Sequence, residues 1–307
     1  MSAADIRRES RRMNEFRTYH PIVNFAYFAL VIGFSMFYMH PVCLAISFAG
    51  GFVYSVMLKG RKAIQTNLRY MLPMMLVTAL INPAFNHEGV TILTYLPSGN
   101  PLTLESIWYG FAAALMIVGV MCHFSCYNAV MTSDKFIYLF GRVIPSLSLI
   151  LSMTLRFVPK FTAQLKVVTN AQKCIGRDAS GGSLVHRAKN GISILSVMVT
   201  WSLENAIETA DSMKSRGYGM RGRTAFSVFT FDKRDATALL GILFFGLYVF
   251  VGGVTGGIDF RYFPSVRSSE PTIYTCSIFA AYFALCIVPI AIELWEVRKW
   301  KILRSKM

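Results

Sequence analysis

From Thr18 to Leu58 the chain carries no Asp, Glu, Lys or Arg. At about 1.5 Å per residue that run would make roughly 60 Å of helix, twice the ~30 Å hydrocarbon thickness of a bilayer. His40-Pro41 sits in its middle, and the proline marks a turn. The run therefore predicts two membrane spans, about 21–39 and 42–58. Four more uncharged runs follow: Tyr70 to His87, whose shorter span ends near Asn82-Pro83, Ser106 to Ser133, Ala236 to Ile258 and Pro271 to Ile292. Each reads as one span, which gives about six. Val143–Leu155 and Asn190–Leu203 are apolar but too short to cross, and read as buried or interfacial helices.

Composition agrees with a membrane-embedded, all-α protein. Residues of the hydrophobic set make up 54% and charged residues only 15%, against about 25% charged in an ordinary soluble domain. Such a chain is not disordered, and a water-soluble enzyme would need a more charged surface.

Lys plus Arg number 31 and Asp plus Glu 16, a formal net charge of +15. The basic residues fall in four places: the N-terminal tail, the link between spans two and three, the long segment between spans four and five, and the C-terminal tail. Only Arg261 and Arg267, after span five, lie on the other side. Six alternating spans make this pattern self-consistent. The positive-inside rule then places both termini in the cytoplasm of a multi-pass protein of the cell membrane. The predicted organisation is a basic tail (1–20), spans one to four (21–133), a cytoplasmic helical domain (134–235), spans five and six (236–292) and a second basic tail (293–307). Because the charge flanks spans, it implies a lipid bilayer as partner and no nucleic acid. The N-terminal apolar region is too long for a cleaved signal peptide. The six cysteines lie in or near spans or in the 134–235 segment, so no structural disulfide is expected.

Several motifs resemble chemistry without its context. Gly217-Tyr-Gly219-Met-Arg-Gly222 is a formal GxGxxG, but it follows a helix instead of a strand. Gly176-Arg-Asp-Ala-Ser-Gly181 is followed by Gly182 where a P-loop needs lysine, so the chain has no Walker A motif. Cys122-His123 and Cys126 offer soft ligands within span four and read as packing, and no Gly-x-Ser-x-Gly elbow occurs. The sixteen methionines, Met36, Met71 and Met116 among them, likewise read as packing. No charged residue falls in the central part of any span. Ion-coupled carriers usually keep one there, so the chain is a poor self-sufficient carrier.

The 134–235 segment is too long for a connector. Leu147, Leu151, Leu155 and Val158 form one stripe at helical spacing; Ile192, Leu195, Val199, Leu203, Ala206, Ala210 and Met213 form another. Each leads into a basic, glycine-bearing end, Lys173-Cys-Ile-Gly176 and Lys214-Ser-Arg216-Gly217, with Asp178–Ser183 as the loop between. Glycine past a helix end is ordinary capping. The rival reading is that the ends dock into a partner.

Ala210-Asp-Ser-Met-Lys-Ser-Arg216-Gly217-Tyr218-Gly219 resembles the second coupling motif of the energy-coupling factor transporter T components. Leu155-Arg156-Phe157-Val158-Pro159 is similar to the stretch that opens that family's coupling region. Ala171–Asp178 falls where its first motif belongs, and Tyr19-His20-Pro21 matches its early His-Pro signature. The likeness covers about 17–235. The chain departs from it at Cys174 and Ile175, which occupy the alanine and arginine positions of the first motif, and at Ser215 in the second. Arg177 or Lys173 is the candidate substitute for the missing arginine.

The resemblance implies a non-catalytic scaffold joining two ABC-type ATPase subunits to a substrate-binding S component for vitamin or metal-ion uptake. The chain itself would bind no cofactor and no metal, with ATP and magnesium used by the ATPases. The implied ATPase-coupling residues are Arg216, Gly217, Tyr218, Ala171, Gln172, Gly176 and Arg177. Arg156 and Pro159 would shape the first coupling helix. The two ends would grip unequally, because arginine offers a planar fork of donors that isoleucine lacks. The alternatives are an independent channel or secondary carrier with a regulatory helical domain, and a membrane-bound enzyme.

Overall fold

The computed structural model describes residues 15–95, 101–141, 144–177, 181, 183–220, 229–268 and 272–305. Most of the N-terminal basic tail, most of the loop at 178–182, and Gly222 of the GxGxxG match lie outside these residues. The chain divides into two compact units, 137–228 and the remainder.

In the larger unit two helices start by the same device. His20 precedes Pro21 and its Nδ1 accepts the Ile22 N–H at 3.3 Å; His40 precedes Pro41 and its Nδ1 accepts the Val42 N–H at 3.2 Å. Proline at the first helical position wastes no hydrogen bond, because that N–H would be unpaired anyway. A single turn, α1 (Glu15–Thr18), leads into α2 (Pro21–Phe37), α3 (Pro41–Lys59) and α4 (Arg61–Phe85). A short antiparallel pair, β1 (Ile92–Tyr95) with β2 (Pro101–Thr103), leads into α5 (Leu104–Val130) and then α6 (Ser133–Gly141), whose residues from Ile137 on belong to the smaller unit. After the smaller unit come α9 (Lys233–Val254), the strands β3 (Phe260–Arg261) and β4 (Arg267–Ser268), and α10 (Ile273–Ser305). The smaller unit holds α7 (Pro145–Cys174) and α8 (Leu184–Ser215).

Five helices, α3, α4, α5, α9 and α10, are long and apolar enough to span a membrane, and α2 is a shorter apolar helix of 17 residues. The protein is an all-α, multi-pass membrane protein. Its spans outrun the charge-free windows. Glu105 and Asp235 lie in the first turns of α5 and α9, and α10 continues through Glu293 into the stretch read as a tail. Arg69 and Pro73 are inside α4.

The bundle is held by small residues and by polar groups that satisfy one another. Cβ atoms at Gly50 and Gly51 would lie 3.1 Å from the Cβ atoms of Cys286 and Cys122, so α3 sits against α10 and α5 at glycine distance. A buried chain of hydroxyls and imidazole crosses four helices. Tyr282 Oη lies 3.1 Å from Ser35 Oγ, Ser35 Oγ lies 2.5 Å from Ser47 Oγ, and His123 Nε2 lies 3.0 Å from the Ser47 carbonyl oxygen. Such pairing is obligatory where no water is available. Cys122 and Cys126 are fully buried here, Cys126 against the Gly51 carbonyl and Cys122 against Met71. α4 differs, with 6% of its apolar window buried against 44% for α10. Its outer face carries Leu68, Leu72, Leu76 and Leu80, all exposed.

Candidate coupling site

The smaller unit is an antiparallel pair of helices. Phe161 of α7 meets Trp201 of α8 edge-on, with ring centroids 5.2 Å apart, and Val168 packs with Ile194 and Met198. Lys160 Nζ donates to Asn205 Oδ1 and lies 5.6 Å from the centre of the Trp201 ring. From this contact zone α7 continues about 10 Å past Val168, and α8 about 16 Å past Asn205 in the opposite sense. Their C-terminal ends therefore leave the pair in opposite directions.

Both ends are built alike. In α8 Arg216 is the C-cap residue, Gly217 follows at φ +77°, and the Gly217 and Tyr218 N–H groups donate to the carbonyls of Lys214 (2.9 Å) and Met213 (3.0 Å). In α7 Ile175 is the C-cap residue, Gly176 follows at φ +75°, and the Gly176 and Arg177 N–H groups donate to Lys173 (3.0 Å) and Gln172 (2.9 Å). Each is a Schellman motif, whose left-handed residue favours glycine because a Cβ would crowd the following carbonyl. Position by position, Lys173 matches Lys214, Cys174 matches Ser215, Ile175 matches Arg216 and Arg177 matches Tyr218.

The residues singled out from the sequence thus fall into two groups and one remainder. Arg216, Gly217 and Tyr218 make the first tip; Ala171, Gln172, Gly176 and Arg177 belong to the second. Arg216, Tyr218, Ala171 and Arg177 are exposed. Gln172 Oε1 is enclosed and accepts no hydrogen bond among the described residues. Arg156 and Pro159 are exposed on α7, away from either tip; Pro159 takes a backbone N–H out of the helix interior, and its carbonyl accepts from Thr162 Oγ1 at 2.8 Å.

The apolar stretches, too short to cross a membrane by themselves, fall inside long helices: 145–155 in the 30-residue α7 and 190–203 in the 32-residue α8. The stripe residues Leu155, Val158, Ile192, Leu195, Val199 and Leu203 stay exposed in this unit, and the helices meet through Phe161, Val168, Ile194, Met198 and Trp201 instead. The aromatic pair carries the contact, and a search for the most apolar stripe passes over it.

In the larger unit, a buried polar knot lies where the chain leaves for residues 137–228 and returns from them. Lys135 Nζ donates to the carbonyls of Arg17 and Tyr19 and, at 2.7 Å, to the Asn24 side-chain oxygen, so all three of its protons are used. Burial first, and the nearby Arg17 charge second, pull its pKa from the usual 10.5 down to about 8. Asp235 Oδ1 accepts the His20 N–H at 3.2 Å, and its Oδ2 accepts the Asp232 N–H at 3.2 Å, closing a capping box at the start of α9. The Arg234 guanidinium lies 4.2 Å from the centre of the Tyr19 ring. Tyr19-His20-Pro21, read from the sequence only as a signature, is the segment that both Lys135 and Asp235 grip. Those two partners went unnoticed because a lone lysine and a lone aspartate carry no motif.

Among the described residues no three His, Cys, Asp or Glu side chains are grouped as a metal site. The cobalt transport protein family CbiQ matches residues 16–226, from α1 through both tips. The energy-coupling factor transporter transmembrane protein EcfT of Lactobacillus helveticus is 37% identical over 102 residues, 33% of this chain and 37% of the relative. The protein of the same name from Bacillus selenitireducens is 35% identical over 112 residues, 36% of this chain and 42% of the relative. That from Streptococcus thermophilus is 34% identical over 105 residues, 34% and 40%. The chain therefore spans about two fifths of the length of the curated relatives it matches. With more than half of its own length matched by the family, the chain belongs to the CbiQ cobalt transport proteins, the family of transmembrane T components of energy-coupling factor transporters.

Proposed function

We propose that this chain couples ATP hydrolysis by two partner ABC-type ATPases to substrate release by a membrane-embedded S component. It lies in the cell membrane, with both termini and residues 137–228 in the cytoplasm. The observation that carries this reading is the pair of matched helix ends, each a glycine-closed tip with a basic residue, leaving one helical pair in opposite directions. Two tips of one design suit two related ATPase subunits, each receiving one. A guanidinium at a tip can make charge-assisted, bidentate contacts to carboxylates and carbonyls in a groove. The exposed stripes of α7 and α8 are apolar surface unsuited to water, and they suit contact with the S component in or beside the membrane. Movement of the ATPases would be carried along α7 and α8 to that contact. The S component, not this chain, would select the vitamin or metal ion, and ATP and magnesium would be bound by the ATPases.

The test is co-purification from membranes in which the ATPases and S component are expressed together. Arg216→Glu should abolish capture of the ATPases while the protein still inserts at normal level. Normal assembly and uptake by that variant would show that the tip does not dock. Reconstitution of the chain alone separates the coupling role from a channel or carrier, since only the latter gives flux without partners.

A further inference from the structure

At the membrane end where α3 and α5 begin, a cavity of about 380 Å³ opens between Leu44 and Ala45 of α3, Phe111 and Leu115 of α5, and Phe260 and Tyr262 of the β3–β4 hairpin. Its volume falls within the range of ligand sites, and its lining is almost wholly apolar. The cavity extends from the first turns of α3 and α5 to the hairpin beyond the spans. Leu115 lies about 16 Å along α5 from Leu104, whereas the hairpin lies beyond the spans. The hairpin wall is firmly placed. Tyr262 Oη donates to the Met39 carbonyl at 2.7 Å, the Tyr262 ring meets Tyr109 at 5.5 Å, and Phe260 meets His40 at 5.3 Å. Burial pushes the Tyr262 phenol up to about 12, so it remains a donor at any physiological pH.

The same hairpin carries Arg261 and Arg267, the two basic residues that the charge map sets apart from all the others. They are cross-strand partners, directly opposite each other, and both are exposed. Like charges at that register repel. Among the described residues neither guanidinium has a carboxylate partner. Side chains alternate along a strand, so Arg261, and Arg267 directly across from it, are on the hairpin face opposite Phe260 and Tyr262, outside the cavity. An apolar slot under a hairpin whose other face carries two guanidiniums, without carboxylate partners among the described residues, has the layout of one molecule: a chain below and an anion above.

We propose that this is a binding site for an anionic phospholipid, with one acyl chain in the cavity and the phosphate held by the forks of Arg261 and Arg267. Two guanidiniums match a phosphate geometrically, and the anion relieves their repulsion. The bound lipid would seal α3, α5 and the hairpin together.

The full-length chain, purified in neutral detergent, tests this by native mass spectrometry and thermal unfolding. The probes are phosphatidylglycerol, phosphatidylcholine of the same chains, and glycerol phosphate. Phosphatidylglycerol should be retained at one tight copy per chain and raise the unfolding midpoint above the phosphatidylcholine value. Arg261→Gln with Arg267→Gln should weaken that copy roughly 30-fold and equalise the two lipids. Ala45→Phe, at an exposed cavity wall, should displace both lipids while leaving the lipid-free midpoint unchanged. An undiminished preference in the double variant would place the lipid on the other basic belt and overturn the proposal. So would equal retention of both lipids by the unaltered chain, or the same stabilisation from glycerol phosphate alone.

Discussion

The tips at Gly176 and Gly217 share one backbone and differ in what it presents. Both close by the same pair of hydrogen bonds, and both place a lysine two residues before the cap. At the cap itself one offers Arg216 and the other Ile175, which is 64% exposed; just past the glycine the order is reversed in kind, Tyr218 against Arg177. Each tip therefore keeps one guanidinium and one large apolar side chain, exchanged between two positions. If the tips dock as proposed, backbone geometry would fix where a partner meets each tip, and the exchanged pair would fix which partner fits. Two non-identical ATPases would each need a tip of this common shape and different chemistry.

The largest expected effect tests the inequality directly. If Arg216 pairs with a carboxylate of a docked ATPase as proposed, Arg216→Ala should cost the tip about 2–5 kcal/mol of docking free energy, the range for truncating one partner of a buried charged pair. Arg177→Ala, one place beyond the glycine, should cost less than a tenfold change in ATPase affinity, measured by titration of each ATPase in detergent. Equal losses would break the comparison.

Next in size is a substitution that should not distinguish the tips. Trp201 packs on Phe161 and under Lys160 at the shared contact of α7 and α8. Trp201→Ala should remove about 2 kcal/mol of helix–helix packing and weaken both dockings together. Loss at one tip alone would mean that each helix docks independently of its neighbour.

How much of this was readable in advance follows from what a charge-free window detects. It found the spans because hydrocarbon excludes ions, and it stopped short at Glu105 and Asp235 because a carboxylate in a helix's first turn can be buried with backbone N–H partners, and at Glu293, inside α10, where the carboxylate accepts the Glu15 N–H. Glu105, for one, accepts from Thr91 N and Thr91 Oγ1. The glycines revealed the tips, since a left-handed residue after a helix has few other choices. The helix-pair contact was missed for the opposite reason. Phe161 and Trp201 are flanked by Lys160, Thr162, Thr200 and Ser202, so the stretch does not read as apolar although the rings meet. In the polar knot Lys135 and Asp235 reach Tyr19 and His20 across 116 and 215 positions, and no local pattern announces such contacts.

The two glycines allow a finer comparison. At either one a Cβ costs about 1–2 kcal/mol in the left-handed region. At Gly176 that Cβ would meet nothing within 4 Å, whereas at Gly217 it would lie 3.0 Å from Met220 Sδ. Gly217→Ala should therefore fray its helix end somewhat more than Gly176→Ala, seen as faster amide exchange at Tyr218 than at Arg177. The reverse order would mean that the tips are not equivalent in backbone.

The smallest expected effect, and the sharpest for specificity, is a gain. Ile175→Arg places a guanidinium at the cap position of the α7 tip, where the backbone already matches that of Arg216. The side chain at this position is exposed, so nothing in this unit must move to receive it. If the exchanged residues set partner choice, the variant should bind the ATPase proposed to dock at Arg216 about tenfold more tightly at this tip, and the ATPase proposed for the α7 tip less tightly. Competition between the two ATPases for the isolated complex would report the swap. If both affinities stay as they were, position 175 only closes the helix, and the difference between the tips must lie in Arg177 and Tyr218, beyond the glycines.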